Sequence, residues 1–213
     1  MNITKDKKAR EVEEYPEIYK KYLQQENEWV TENLGKTESL LDVGCGDGRL
    51  TKILSEKTSK YMGIDLDEEA LNKAKQENPN AEFVTGDIMN LAGLLGDNSF
   101  EVSVCLWNTL GNVEQDKKLL EQIFEVTKEK SLITVIRKGS INERKQYYEK
   151  LGLSFNLDEE GETFYSDAWG ISKAYTEEEL IAMCEDVGFV VEEIKEFGKI
   201  ALGVIIKKSK SKL

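Results

Sequence analysis

The sequence predicts an α/β protein: seven strands in a mostly parallel sheet, helices on both faces, and an antiparallel hairpin at the C-terminal end. Three observations predict it. Short apolar strands alternate with helical patterns between residues 39 and 137, the rhythm of βα units. Those strands are apolar throughout, as strands covered on both faces are. The first strand runs straight into Gly44-Cys45-Gly46-Asp47-Gly48, where a glycine-rich bend opens a helix.

The elements follow in order. Glu11 to Leu34 reads as a helix with Tyr15, Tyr19, Tyr22, Leu23, Trp29 and Val30 on one face; Pro16 either starts it or splits it, and Gly35 stops it. Ser39 to Val43 is the first strand, and a helical pattern covers Arg49 to Lys57. Tyr61 to Ile64 is the second strand, closed by Asp65, and Asp67 caps a helix reaching Glu77. Ala81 to Thr85 is the third strand, ending at Gly86-Asp87, with a short helix or turn at Leu91 to Leu95. Phe100 to Leu106, a helix over Glu114 to Lys128, and a strand over Ser131 to Arg137 complete the alternation. Then the rhythm breaks. Asn142 to Leu151 is helical, and Gly152 to Ala174 is irregular, aromatic and acidic, with room for a hairpin. Thr176 and Glu179 form a capping-box pattern before a helix to Val187. Phe197-Gly198 separates two final strands, Phe189 to Glu196 and Lys199 to Lys207.

At 213 residues, without an internal repeat or linker, the chain reads as one domain. We divide it into an N-terminal helical cap (1–36), a ligand-binding core (37–137), a substrate-recognition insert (138–175) and a C-terminal helix and hairpin (176–213). The formal charge of −12 disfavours nucleic-acid partners, because an acidic surface repels phosphate backbones. Only Lys207 to Lys212 is a basic block, read as a frayed solvated end. No apolar window is long enough to span a bilayer, and Met1 to Glu11 is no secretory signal. Cys45, Cys105 and Cys184 lack metal spacing and read as reduced thiols of a cytoplasmic protein, a monomer or homodimer. The terminal Ser211-Lys212-Leu213 matches a peroxisomal address, which carries meaning only in a eukaryote.

There is no histidine. Any proton chemistry must therefore use carboxylates, Tyr, Lys, Cys or water. A dinucleotide loop beginning at Gly44 would place its third glycine where Arg49 stands. That residue and the missing histidine argue against a nicotinamide-dependent oxidoreductase. Asp65 and Asp87 end the second and third strands, at the edge where open α/β sheets hold ligands.

These residues resemble the class I methyltransferases that use S-adenosylmethionine (SAM). Leu41-Asp42-Val43-Gly44-Cys45-Gly46-Asp47-Gly48 is similar to that family's first motif, Gly63-Ile64-Asp65 to its ribose motif, and Gly86-Asp87-Ile88 to its adenine motif. The resemblance implies a Rossmann-like sheet, SAM as methyl donor and S-adenosylhomocysteine (SAH) as product. It implies that Gly44, Cys45 and Gly46 cradle the methionine part and that Asp42 holds its ammonium. Asp65, with Leu66 beside it, would take the ribose; Asp87 and Ile88 would flank the adenine; a Leu106 backbone group would touch SAM. Lys128-Glu129-Lys130-Ser131 stands where the family often has a Pro-Gly-Gly turn.

The stretch from Cys105 to Asn112 is similar, more locally, to glycine and sarcosine N-methyltransferases. That resemblance implies a small amine or amino-acid-like acceptor, with Asn108 contacting it and Arg137 gripping its carboxylate. Asn108 capping a turn and Arg137 as a solvated strand end are the plain structural alternatives. Tyr19, with Tyr15 and Tyr22, could close the site from the first helix, or simply dock it. The aromatic insert, with Tyr147, Tyr148, Phe155, Phe164, Tyr165 and Trp169, is either an acceptor lid or a local cluster. A non-catalytic SAM-binding subunit and a protein or RNA methyltransferase stand as alternatives to a small-molecule enzyme.

Overall fold

A computed structural model describes residues 12–208; Met1 to Glu11 and the terminal Ser211-Lys212-Leu213 lie outside them. The first long helix, α1 (Glu17–Leu34), begins directly after Pro16, whose backbone is held at φ −57° and ψ 146°. Proline has no N–H to leave unpaired at a helix start, so the helix begins there instead of being split.

The core alternates β1 (Thr37–Val43), α2 (Thr51–Ser55), β2 (Thr58–Asp65), α3 (Glu68–Glu77), β3 (Glu82–Thr85), α4 (Leu91–Leu95), β4 (Phe100–Cys105), α5 (Asp116–Val126) and β5 (Thr127–Ile136). The sequence reading placed a helix to Lys128 and a strand only from Ser131. The observed strand claims Thr127 because Phe100 of β4 pairs with it. After α6 (Ile141–Lys150) come β6 (Asn156–Asp158), β7 (Thr163–Ser166) and β8 (Gly170–Ser172). These form a separate three-stranded antiparallel sheet where the sequence had suggested at most a hairpin. Helix α7 (Glu177–Val187) and strands β9 (Phe189–Phe197) and β10 (Ala201–Lys208) end the fold. The capping box forms: Glu179 N–H donates to Thr176 Oγ1 at 3.1 Å, and Thr176 N–H to Glu179 Oε2 at 2.9 Å. Lys207 and Lys208 belong to β10 and not to a frayed tail; Lys207 pairs with Glu192, and Lys208 donates to Asn98 Oδ1.

The large sheet has the order β3-β2-β1-β4-β5-β10-β9. Strands β1 to β5 pair in parallel, and β10 runs antiparallel to both β5 and β9. Successive strand residues enter opposite cores: Leu40, Val104 and Leu132 face one cluster with α1, α3 and α6, while Leu41, Cys105 and Ile133 face another with α5 and α7. The chain reverses direction of travel across the sheet between β1 and β4. A crevice opens at the carboxyl ends of strands at such a switch point. Among the described residues no helix is long and apolar enough to cross a membrane.

Candidate active site

A cavity of about 870 Å³ lies at that crevice. Its floor is the bend after β1. Gly44 and Gly46 have φ of +72° and +54°, a backbone region open to glycine at little cost. A Cβ on Gly44 would stand 2.4 Å from Thr109 Cγ2, so the close approach of the β4 loop also demands glycine. A Cβ on Gly46 would meet nothing within 4 Å, leaving open space above the bend.

Two carboxylates shape this end. Asp42, 5% exposed, accepts a 2.9 Å hydrogen bond from the Tyr61 phenol, which lies 2.9 Å from the Thr51 hydroxyl. Burial pushes Asp42 up to about 7, with the Tyr61 hydrogen bond and Arg49 opposing the shift. A cation arriving beside this buried carboxylate would favour its ionised form. Asp65 accepts from Gly46 N–H (2.8 Å) and Asp67 N–H (2.9 Å), one on each oxygen. Each oxygen keeps acceptor capacity for a hydroxyl. Gly44, Cys45, Gly46, Asp42, Asp65 and Leu106 all line the cavity. Burial raises the Cys45 thiol well above its ordinary range, so it is a space-filler and not a nucleophile.

Leu66, Asp87 and Ile88 lie outside the cavity lining. Leu66 is 68% exposed. Asp87 caps the turn that follows β3, accepting from Met89 N–H at 2.8 Å.

The opposite end is aromatic. Tyr15, Tyr19, Trp107, Tyr147, Tyr148 and Trp169 converge on it from the segment before α1, α1 itself, the β4 loop, α6 and the insert. Tyr19 stacks on Tyr147 with ring centroids 4.1 Å apart, and Tyr22 stacks on Trp107 at 5.2 Å. Tyr19 is thus both a wall of the cavity and part of the docking face of α1. Burial holds the Tyr19 and Tyr147 phenols above their usual range, so they stay protonated and offer no general base.

Trp107 and Asn108 are consecutive left-handed residues, with φ of +53° and +62°. Such strain persists only when neighbours over-determine it, and they do. Trp107 N–H donates to Thr134 Oγ1 (2.8 Å) and to Glu26 Oε1 (3.1 Å). Asn108 Oδ1 accepts from Ile136 N–H at 2.9 Å, while its Nδ2 donates to Asn112, Ser172 and Lys173 at 3.1–3.3 Å. Asn108 lines the cavity, yet its amide is engaged in holding the β4 loop, β5 and the insert together.

Arg137 is a correction. Its guanidinium leaves the cavity and pairs with Glu196 at 2.7 Å and the Gly198 carbonyl at 3.3 Å. The cause is the antiparallel hairpin: Ala201 of β10 pairs with Ile136, which brings the β9–β10 turn beside Arg137.

Sequence reasoning missed Glu26, which has no exposed surface. Its carboxylate takes hydrogen bonds from Tyr22, Thr134 and Trp107 and an ion pair from Arg49. The signal was available: Glu26 falls at helical spacing between Tyr22 and Val30, on the buried stripe of α1. Arg144 was missed too. It lines the cavity from α6 with 1% exposure.

The comparisons agree with this geometry. Residues 40–130 match the family model described as a methyltransferase domain. An O-antigen chain terminator bifunctional methyltransferase/kinase of Escherichia coli is 27% identical over 161 residues, covering 71% of this chain and 19% of that protein. The chain thus spans about a fifth of the first curated relatives it matches, which are 19% covered. A crystallised protein of Pyrococcus horikoshii OT3 superposes with a TM-score of 0.74 at 16% identity, covering 92% of this chain and 95% of the other. The Burkholderia thailandensis 1,6-didemethyltoxoflavin-N1-methyltransferase, crystallised with 1,6-didemethyltoxoflavin and SAH, superposes with a TM-score of 0.67 at 17% identity, covering 89% and 79%. Residues 40–130 thus match a methyltransferase domain, and the sheet order and the glycine bend after β1 agree with that match. The matched segment runs from within β1 into the start of β5 and includes the glycine bend and Asp65 at the polar end of the cavity.

Proposed function

We propose that this protein transfers a methyl group from SAM to a small molecule bearing an amine. One observation carries the reading: a single cavity joins an acidic glycine cradle to an aromatic chamber. SAM, when bound, supplies an electrophilic methyl on a sulfonium. The chain's own residues hold and orient. Gly44, Cys45 and Gly46 offer backbone to the methionine portion, Asp42 takes its ammonium, Asp65 takes the ribose, and Leu106 offers a backbone group. Leu66, Asp87 and Ile88 are assigned to the outer rim around the adenine.

The aromatic chamber excludes water and aligns the acceptor with the methyl. Placing two bound reactants in line lowers a barrier by about 7–11 kcal/mol without acid or base help. That suits a site with no histidine and with tyrosines held protonated. A neutral amine brings its own lone pair; a hydroxyl would need a base this chamber lacks. Asn108 shapes the chamber, and Tyr19 is one of its walls.

The test is a methyl-transfer assay with isotopically labelled SAM over a panel of small amines and alcohols. Labelled product with an amine, and SAH in equal amount, supports the reading. Tight SAM binding with no transfer to any acceptor would favour a SAM-binding subunit instead.

A further inference from the structure

The chamber holds a charge that the methyltransferase reading has not used. Among the described lining residues, the acids sit at the glycine-loop end and along α3, as does Lys73, paired to Asp47. At the aromatic end the Arg49 guanidinium lies 5.9 Å from the Trp107 ring centroid with its charge met by Glu26, and Arg144 is the other charged side chain among the described lining residues there. It is 1% exposed, and among the described residues no carboxylate approaches it within ion-pair distance. The Glu162 carboxylate, whose charge favours the ionised guanidinium from beyond ion-pair distance, accepts from Gly139 N–H through both oxygens at 2.8 Å.

Arg144 is instead fixed by neutral groups. Its guanidinium donates to the carbonyls of Glu162 and Ser172 at 2.5 Å and to Ser172 Oγ at 3.1 Å, and it lies 4.2 Å from the Phe164 ring centroid. Those bonds occupy three of the five N–H groups that a guanidinium carries. An arginine stays charged at every physiological pH, and a buried charge without a counter-ion is costly. The insert therefore holds a rigid, desolvated cation in the acceptor chamber with donors to spare.

We propose that Arg144 receives the carboxylate of the methyl acceptor, which is therefore a flat anionic molecule. The planar fork meets a carboxylate through parallel hydrogen bonds. Tyr147, Tyr148 and Trp169 beside it supply faces for a flat body. The charge pattern of the cavity is then complementary from end to end: acids for the cationic cofactor, a cation for the anionic acceptor. The inference rests on the methyltransferase reading above and refines its acceptor.

The test is calorimetry on the full chain saturated with SAH, titrating anthranilate and, separately, 2-aminobenzamide. The two probes share shape and amine and differ in charge. We expect anthranilate to bind at least tenfold more tightly, and Arg144→Met to bring the ratio near one while SAH affinity holds. Because Arg144 also ties Glu162 and Ser172, the variant can fail to fold; the ratio on the unaltered chain then decides alone. Equal affinities, a preference for the amide, or no binding of either probe to the SAH-loaded protein overturns the anion assignment and leaves the methyltransferase reading intact. Failure of SAH itself to bind overturns both.

Discussion

Tyr61 donates its phenolic hydrogen to Asp42 across 2.9 Å at the floor of the cavity, joining the middle of β2 to the end of β1. The contact opposes the effect of burial on this carboxylate. Burial raises Asp42 from 3.8 to about 7, and the Tyr61 hydrogen bond pulls against that rise. The folded chain therefore holds the proton more tightly than the unfolded one. The contribution of Asp42 to stability is full below about pH 4 and is lost as pH climbs through about 7, by roughly 4 kcal/mol. Ligand binding runs the other way, since an ammonium needs the ionised form. SAH affinity should fall about tenfold per pH unit below 7. Tyr61→Phe should move that break upward. Dissociation constants for SAH measured from pH 5.5 to 8.5 check both, and a flat profile would remove Asp42 from the cofactor site.

The Glu26 carboxylate joins α1, β5, the β4 loop and Arg49 at one buried point. Glu26→Ala removes the carboxylate partner of the Arg49 cation and one of the two acceptors of the Trp107 N–H. Breaking one side of a buried pair costs about 3–5 kcal/mol. Urea unfolding at neutral pH should show a loss of that size, with Trp107 fluorescence altered in the native baseline. A loss below about 1 kcal/mol, the size typical of an exposed ion pair, would mean that the carboxylate is not the tie described.

The sequence carried more of the fold than of the site. Helix and strand rhythm, the glycine bend and the β9–β10 hairpin are local patterns, and each appears in the structure, with the boundary between α5 and β5 moved to Thr127. The Asn108 side chain illustrates what local pattern omits: its four partners come from Asn112, Ile136, Ser172 and Lys173, across three separate segments. Arg137 illustrates the same point in reverse. Its place at the strand end was legible, but its direction was set by Glu196 on a strand some sixty positions further along. Arg144 shares the buried face of a charged helix with Tyr147 and Tyr148, three and four residues on, a spacing that places it inward but does not show which groups receive its charge.

Gly44 and Gly46 should fail differently when given a methyl group. In Gly44→Ala the new Cβ meets Thr109 at 2.4 Å at a left-handed backbone, so the cost falls on folding. Gly46→Ala meets nothing, and only the left-handed backbone opposes it, by about 1–2 kcal/mol. Its methyl occupies open space above the bend. Gly46→Ala should therefore weaken SAH binding at least tenfold in a chain that still unfolds cooperatively. If Gly46→Ala binds SAH as the unaltered chain does, the open space above Gly46 is not where the cofactor lies.

Arg137 and Asn108 separate a rim contact from a structural clamp. The Arg137 and Glu196 side chains are 35% and 51% exposed, and an ion pair at that exposure contributes about 0–1 kcal/mol. Arg137→Ala should leave stability nearly unchanged and methyl transfer within about twofold, because its guanidinium points away from the chamber. Asn108→Ala strips the buried Ile136 N–H of its acceptor, a loss of about 1–3 kcal/mol, and forces alanine into a left-handed backbone. It also releases the insert at Ser172, whose carbonyl and hydroxyl hold Arg144. The acceptor end should loosen while the glycine cradle stays in place, so KM for the acceptor should rise more than the dissociation constant for SAH. Were Arg137→Ala to abolish transfer and Asn108→Ala to leave it whole, the acceptor would have to sit on the hairpin side of β5 and the aromatic chamber would lose its assignment.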